Sequence, residues 1–303
     1  MSAVVVAPGF LTTVQDLGRP GWASIGVSAS GAADPIALRV ANRLVGNSPG
    51  AAALEMTLLG PTLRFERDAI VAVTGADAAG IEGWRARRVA SGETLACGPL
   101  ANGARAYLAV GGGIAIDRVL GSASTHLATA LGGLGGRAVA AGDHLALGAP
   151  AGEPRAGKLD PRDLPGYRRG DPFRATDGPQ AAWFTEEARM HLYAKPYVVS
   201  EACDRMGIRL DGAPLVQAAS RELITEGVVL GAIQVPAGGQ PIVLFVEHQT
   251  SGGYPKIATV AGVDASRLGQ LRPRDTLRFA PVSFDEAVAL LRKQAHALDE
   301  LLA

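Results

Sequence analysis

Short apolar runs separated by Gly, Pro and Asp dominate this chain. Residues 69–73, 106–110, 241–246 and 276–279 are each of strand length with turn residues on both sides, so each predicts a β-strand. The opening stretch, residues 1–10, has no basic segment ahead of its apolar run and predicts a first strand, not a leader. Two segments carry helical spacing. Pro35–Leu44 follows Asp34, an N-cap residue, with Pro35 at the first helical position and Ile36, Val40 and Leu44 recurring every fourth residue. At the C-terminus Ser283 and Glu286 form an S-x-x-E box. Phe284, Val288, Leu291, Ala295, Leu298 and Leu302 then lie on one stripe, which predicts a helix packed on the last lobe.

Residues 149–166 hold four prolines, three glycines and many charges, without apolar periodicity. The expected organisation is therefore an N-terminal β lobe over 1–150, a linker over 151–175, and a C-terminal β lobe with its terminal helix over 176–303. The halves share a pattern, Glu55-x-x-x-Leu59-Gly60 and Glu226-x-x-x-Leu230-Gly231, each ahead of an apolar strand. A duplication of two similar lobes and a coincidence in a glycine-rich chain both remain open.

Composition narrows the class. In 303 residues there are 29 basic and 29 acidic side chains, with no basic block, so neither nucleic acid nor an anionic membrane is an expected partner. No apolar run is long enough to span a bilayer. Cys97 and Cys203 form no C-x-x-C pair, and the five histidines show no metal spacing. The expectation is a cytoplasmic protein without a structural metal. The 39 glycines and 19 prolines suit many turns between short strands.

Four segments carry candidate chemistry. Residues 12–21 gather Gln15, Asp16 and Arg19 between a strand and a Gly-Pro turn. They form either a cradle for a carboxylate, ureido or phosphate group, or a self-satisfied turn. Residues 28–34, with Ser30 and Asp34, lead into a helix that carries Asn42; such a helix start binds anions unless the Asp34 cap occupies its N–H groups. Residues 247–256 follow a strongly apolar strand and bring Gln249, Thr250, Tyr254 and Lys256 around Gly252 and Gly253. That concentration of different polar groups is more than a plain hairpin needs. Residues 203–210 offer Arg205 and Arg209 to an acidic ligand or to structural ion pairs. No phosphate-loop motif, dinucleotide fingerprint, nucleophile elbow or Met-Lys-Met biotin-attachment sequence is present.

The ordered series TTVQDLGRPG (12–21), SGAADPIALRVANRLVGN (30–47), LEMTLLGP (54–61), VLGSAST (119–125), GPQ (178–180), DRMGIRLDG (204–212), EGVVLGAIQVP (226–236) and QTSGGYPKIATV (249–260) resembles the biotin-dependent carboxyltransferase A/B-type family. That family includes the C-subunit of 5-oxoprolinase, allophanate hydrolase subunit 2 and KipA-like proteins. The resemblance implies a mainly β fold with two cyclophilin-like β-barrel lobes, a few short helices and a C-terminal helix. It implies a separate, smaller carboxyltransferase-like partner subunit, with an amidohydrolase-like third subunit. The implied activity is ATP-driven opening of 5-oxoproline to glutamate, with ATP bound with or by the partner. The alternatives are carboxyl transfer to urea or a related amide, with biotin carried on another protein, and a KipA-like regulatory binding role. Urea and 5-oxoproline both present a carbonyl beside an N–H. On that chemistry Glu226 or Asp16 accepts the N–H or acts as base, and Lys256 or Arg205 stabilises charge on the carbonyl oxygen. Tyr254 is a further proton carrier. Gln234, Gln249, Thr250, Gly252 and Gly253 line the amide edge, with Gln15, Arg19, Ser30, Asp34 and Asn42 as the second set of binding positions.

Overall fold

The fold, described from a computed structural model, comprises residues 2–164, 167–168, 170–219 and 221–302. Residues 165, 166 and 169, within the segment expected to be a linker, lie outside this set, as do the terminal residues 1 and 303. The chain forms two compact units. One contains residues 2–19 and 30–163, the other residues 20–29 and the described residues of 164–302.

The first unit is built from β1 (Ser2–Ala7), β2 (Leu11–Gln15), α1 (Pro35–Leu44), β3 (Ala53–Thr57), β4 (Thr62–Phe65), β5 (Ala69–Ala78), β6 (Ala86–Val89), β7 (Thr94–Ala96), β8 (Leu100–Val110) and β9 (His144–Ala146). They make a four-stranded sheet, β7-β4-β1-β9, and a five-stranded sheet, β2-β3-β8-β5-β6. Alternation sets the inner faces: Ala3 and Val5 of β1, and Leu63 and Phe65 of β4, are buried, while Arg64 between them is exposed. They share one core with Leu54, Met56, Val73 and Leu108 of the larger sheet. Helix α1 packs on β5 and β8. Its buried face is wider than the expected stripe, because Ala37, Leu38 and Ala41 are covered as well as Ile36, Val40 and Leu44. Asp34 caps it, accepting the Ala37 N–H at 3.0 Å. Asp34→Ala is expected to cost about 1 kcal/mol, measurable as a lowered urea midpoint at constant m-value.

The second unit contains β10 (Phe173–Asp177), α2 (Glu186–Ala194), β11 (Tyr197–Val199), β12 (Gly207–Asp211), β13 (Glu226–Gly227), β14 (Ala232–Gln234), β15 (Ile242–Leu244), β16 (Ser251–Gly252), β17 (Lys256–Val260), α3 (Ala265–Leu268), β18 (Thr276–Leu277), β19 (Phe279–Pro281) and α4 (Phe284–Leu302). Eight strands follow the order β18-β11-β12-β15-β14-β17-β10-β19. The outermost two are consecutive in sequence, separated only by Arg278. One extended segment thus pairs antiparallel with β11 and then parallel with β10, which draws the sheet nearly closed. Closure satisfies edges that would otherwise stay unpaired. Strands β13 and β16 form a separate two-stranded ribbon.

Helix α2 has no counterpart in the apolar pattern. Only Ala188 and Leu192 are buried on it, so no stripe marks it, and Thr185 starts it by accepting the Ala188 N–H. The one-turn α3 is likewise unmarked. The stripe on α4 is narrower than expected. Leu298 and Leu302 are buried, but Phe284 is 73% exposed. Ser283 supplies the expected cap by accepting the Glu286 N–H at 3.2 Å. Beneath α4, Asp264 is fully buried and accepts from the Arg174 backbone N–H (2.8 Å), Nε (2.9 Å) and Nη2 (2.7 Å), and from Arg267 Nη1 (3.0 Å).

Candidate functional site

Strand register in the second unit assembles a polar cluster from positions far apart in sequence. Gln234 on β14 stands opposite Lys256, the first residue of β17, beside a bulge. Glu226 on β13 stands opposite Gly252 on β16. The side chains interlock. Lys256 is buried, and its Nζ lies 2.5 Å from Glu226 Oε1. Gln180 Nε2 donates to that same oxygen at 2.9 Å, and Gln180 Oε1 accepts the Lys256 backbone N–H at 3.1 Å. Gln249 Nε2 donates to Gln234 Oε1 at 3.3 Å, which turns the Gln234 amide so that its buried Nε2 has no hydrogen-bond partner among the described residues.

Gly252 lets these amides converge. A Cβ there would come within 2.8 Å of Gln234 Nε2 and 3.3 Å of Gln249 Nε2, so a side chain at this position would displace both. The Lys256 ammonium is the chief reason the Glu226 carboxyl lies below its ordinary range, with the Gln180 hydrogen bond the next cause. The cluster thus holds an ionised carboxylate, a buried ammonium and a buried N–H donor. Those are the groups needed to accept an N–H, fix an anion and donate to a carbonyl.

The other residues of the 247–256 segment sit differently. Tyr254 is 51% exposed. Thr250 contributes its carbonyl to the Val228 N–H, and Gly253 lies near Leu223 O and Thr225. Arg205 is buried in an ion pair with Glu247, 2.5 Å from Nε to Oε1, and this geometry makes the pair a brace between β12 and β15 and the turns that flank them. Sequence spacing does not single out Gln180. Its only signal there is its place in the GPQ stretch.

In the first unit, the second set of positions forms a tightly bonded network. Asp16 accepts from the Ser122 (2.5 Å) and Ser124 (2.6 Å) hydroxyls and from the Gly18 (2.8 Å) and Ala123 (2.7 Å) N–H groups. With both oxygens engaged by donors, this carboxylate pins the 119–125 segment to β2. Arg19 donates to the Val119 and Ser124 carbonyls, in a space that Gly132 (φ 70°) leaves open. Gln15 donates to Thr13 Oγ1 (3.1 Å) and Thr125 O (2.9 Å), and Ser30 donates to Thr125 O (3.2 Å). Asn42 ties the end of α1 to the Pro49 and Ala51 carbonyls. Asp34 serves as the helix cap, which takes up the Ala37 N–H at the start of α1.

Among the described residues no His, Cys, Asp and Glu group is arranged to hold a metal ion, and no helix is long and apolar enough to cross a membrane.

Similarity to known proteins extends over almost the whole chain. Residues 25–281 match the family model of the carboxyltransferase domain, subdomain A and B. The chain is 38% identical to the C-subunit of 5-oxoprolinase from Escherichia coli (strain K12), over 98% of this chain and 96% of that protein. It is 35% identical to the C-subunit of 5-oxoprolinase from Haemophilus influenzae, over 95% of this chain and 94% of that one. The crystal structure of the K. lactis urea amidolyase superimposes with a TM-score of 0.90 at 32% identity. That match covers 99% of this chain but only 20% of the much longer amidolyase. With most of its length matched by the family model and nearly all of it by these relatives, the chain belongs to the family of the carboxyltransferase domain, subdomain A and B.

Proposed function

We propose that this chain is the amide-recognising subunit of an ATP-dependent 5-oxoprolinase. It acts with a smaller carboxyltransferase-like subunit and an amidohydrolase-like third subunit in opening 5-oxoproline to glutamate. The supporting observation is the cluster in which Gln180, Glu226, Gln234, Gln249 and Lys256 converge beside Gly252. A lactam presents a C=O and an N–H on adjacent atoms. Gln234 Nε2 donates to the carbonyl oxygen, and the Glu226 carboxylate accepts the ring N–H. Lys256 keeps that carboxylate ionised, and Gln249 keeps the Gln234 donor turned inward.

The cluster does not fit the triphosphate of ATP. It offers one ammonium, already matched by a carboxylate, and the chain has neither a phosphate loop nor a metal-holding group among its described residues. ATP belongs to a partner in this reading, and no step of this chain runs through it. The likeness to the urea amidolyase favours one second reading, in which a ureido group lies on the same amide edge and biotin arrives on another protein.

The test is ATP-dependent glutamate release from 5-oxoproline by the chain with its partner subunits. Gln249→Ala frees the Gln234 amide to rotate and is expected to raise KM about tenfold, the worth of one well-placed hydrogen bond. Absence of turnover, together with biotin-dependent carboxylation of urea, would replace the first reading with the second.

A further inference from the structure

The contact between Lys256 and Glu226 is asymmetric. The lysine side chain is 4% exposed, whereas the glutamate side chain is 41% exposed. Lys256 Nζ makes no aligned hydrogen bond among the described residues, although an ammonium has three donors. Its charge is met by Glu226 alone among the ion pairs found there. Glu226 itself sits on a two-residue strand outside the eight-stranded sheet, held by Gly252, Ser251 and the Gln180 amide. A buried ammonium left without an anion is costly. A half-exposed carboxylate on a short ribbon carries no comparable cost, since water solvates it when it moves away.

From this we propose that Glu226 is a displaceable cap on the Lys256 ammonium, and that the group displacing it is a carboxylate of the ligand. The inference rests on the reading that this cluster binds the amide substrate, and it adds what selects that substrate. A single ammonium matches a single negative charge. A dianion would leave excess charge against Glu226, so a monocarboxylate fits and a phosphate does not. Register places Lys256 opposite Gln234 and Glu226 opposite Gly252. In this proposal a small ring with carboxylate, N–H and carbonyl on consecutive atoms gives its carboxylate to Lys256, its N–H to the displaced Glu226 and its carbonyl to Gln234. The exchange moves no covalent bond and no proton. One carboxylate leaves the ammonium and another takes its place.

Three probes separate the parts in calorimetric titrations of the full chain: 5-oxoproline, 2-pyrrolidinone (the same lactam without the carboxylate) and acetate. In Glu226→Ala the competing carboxylate is gone. The N–H contact to Glu226 is lost to both lactams alike, so the preference for 5-oxoproline over 2-pyrrolidinone is expected to rise about tenfold over the wild type, a gain of one charge-assisted contact. Acetate is expected to raise the unfolding temperature of this variant saturably and to leave the wild type unchanged. In Lys256→Met the preference for 5-oxoproline over 2-pyrrolidinone should vanish. Parallel changes for the two lactams in Glu226→Ala, with no acetate effect, would overturn the exchange and leave the amide site standing. Binding of neither lactam to the wild type or to either variant would overturn both the exchange and the amide site.

Discussion

Lys256→Met is expected to lower ATP-dependent glutamate release by about 10²–10³-fold, the scale on which one preorganised electrostatic group counts in a reaction, with little loss of stability. The two effects separate because of where the partners lie. Methionine fills the volume of the buried stem without a charge to bury, and Glu226, left behind, is already partly in water. The reaction loses the ammonium that holds Glu226 ionised in the free protein and that takes the ligand carboxylate when Glu226 is displaced. A pH profile provides a second readout. The Glu226 carboxyl lies below its ordinary value of 4.5, chiefly through Lys256. Activity that needs the carboxylate is present above its folded-state pKa and is lost as pH falls through it. The acid limb of the wild type should therefore lie below pH 4.5, and in Lys256→Met it should move upward. Unchanged rates and an unmoved limb would remove the pair from the reaction.

Asp264→Ala is expected to destabilise the second unit by about 3–5 kcal/mol, because removing one member of a buried ionic group strands the others. Asp264 is fully buried and meets Arg174 and Arg267 through four hydrogen bonds. Deleting it leaves two guanidinium groups without that anion, and Arg267 is itself 7% exposed. Chemical denaturation followed by circular dichroism measures the loss. Asp264→Asn, which keeps an acceptor but not the charge, should fall between the variant and the wild type. A change under 1 kcal/mol in Asp264→Ala, within the range of ordinary surface substitutions and below that of a broken buried network, would show that the arginines find other partners.

The strands and the two helices with apolar periodicity are legible in the sequence because burial on one face imposes a period that the residues must carry. Helix α1 shows this best: Asp34, Pro35 and the spacing of Ile36, Val40 and Leu44 fix both of its ends. Helix α2 is not legible, because a helix that buries only Ala188 and Leu192 imposes almost no pattern, and Thr185 alone marks it. The exposed start of α4 shows the converse. An apolar stripe states what can be buried, and Phe284 is not. In the candidate site, the density of functional groups between Gln249 and Lys256 points to that segment. It does not show that Glu226 and Gln180 come to it, since strand pairing and one amide hydrogen bond make that juxtaposition. Nor does residue type distinguish Asp16 from Glu226. Both are carboxylates, but one is saturated by two hydroxyls and two backbone N–H groups while the other stays half exposed.

The second unit is discontinuous, since residues 20–29 belong to it along with the described residues from 164 onward. On the ribosome those ten residues emerge early and must wait, because residues 30–163 are made before their partners, such as the Val246 carbonyl that receives the Ser28 hydroxyl. At translation rates of about 5–20 residues per second the delay is on the order of ten seconds. Trp22 and Ile25, 38% and 67% exposed even in the finished fold, are uncovered throughout it. This early stretch is thus where a nascent-chain chaperone has the longest opportunity to bind.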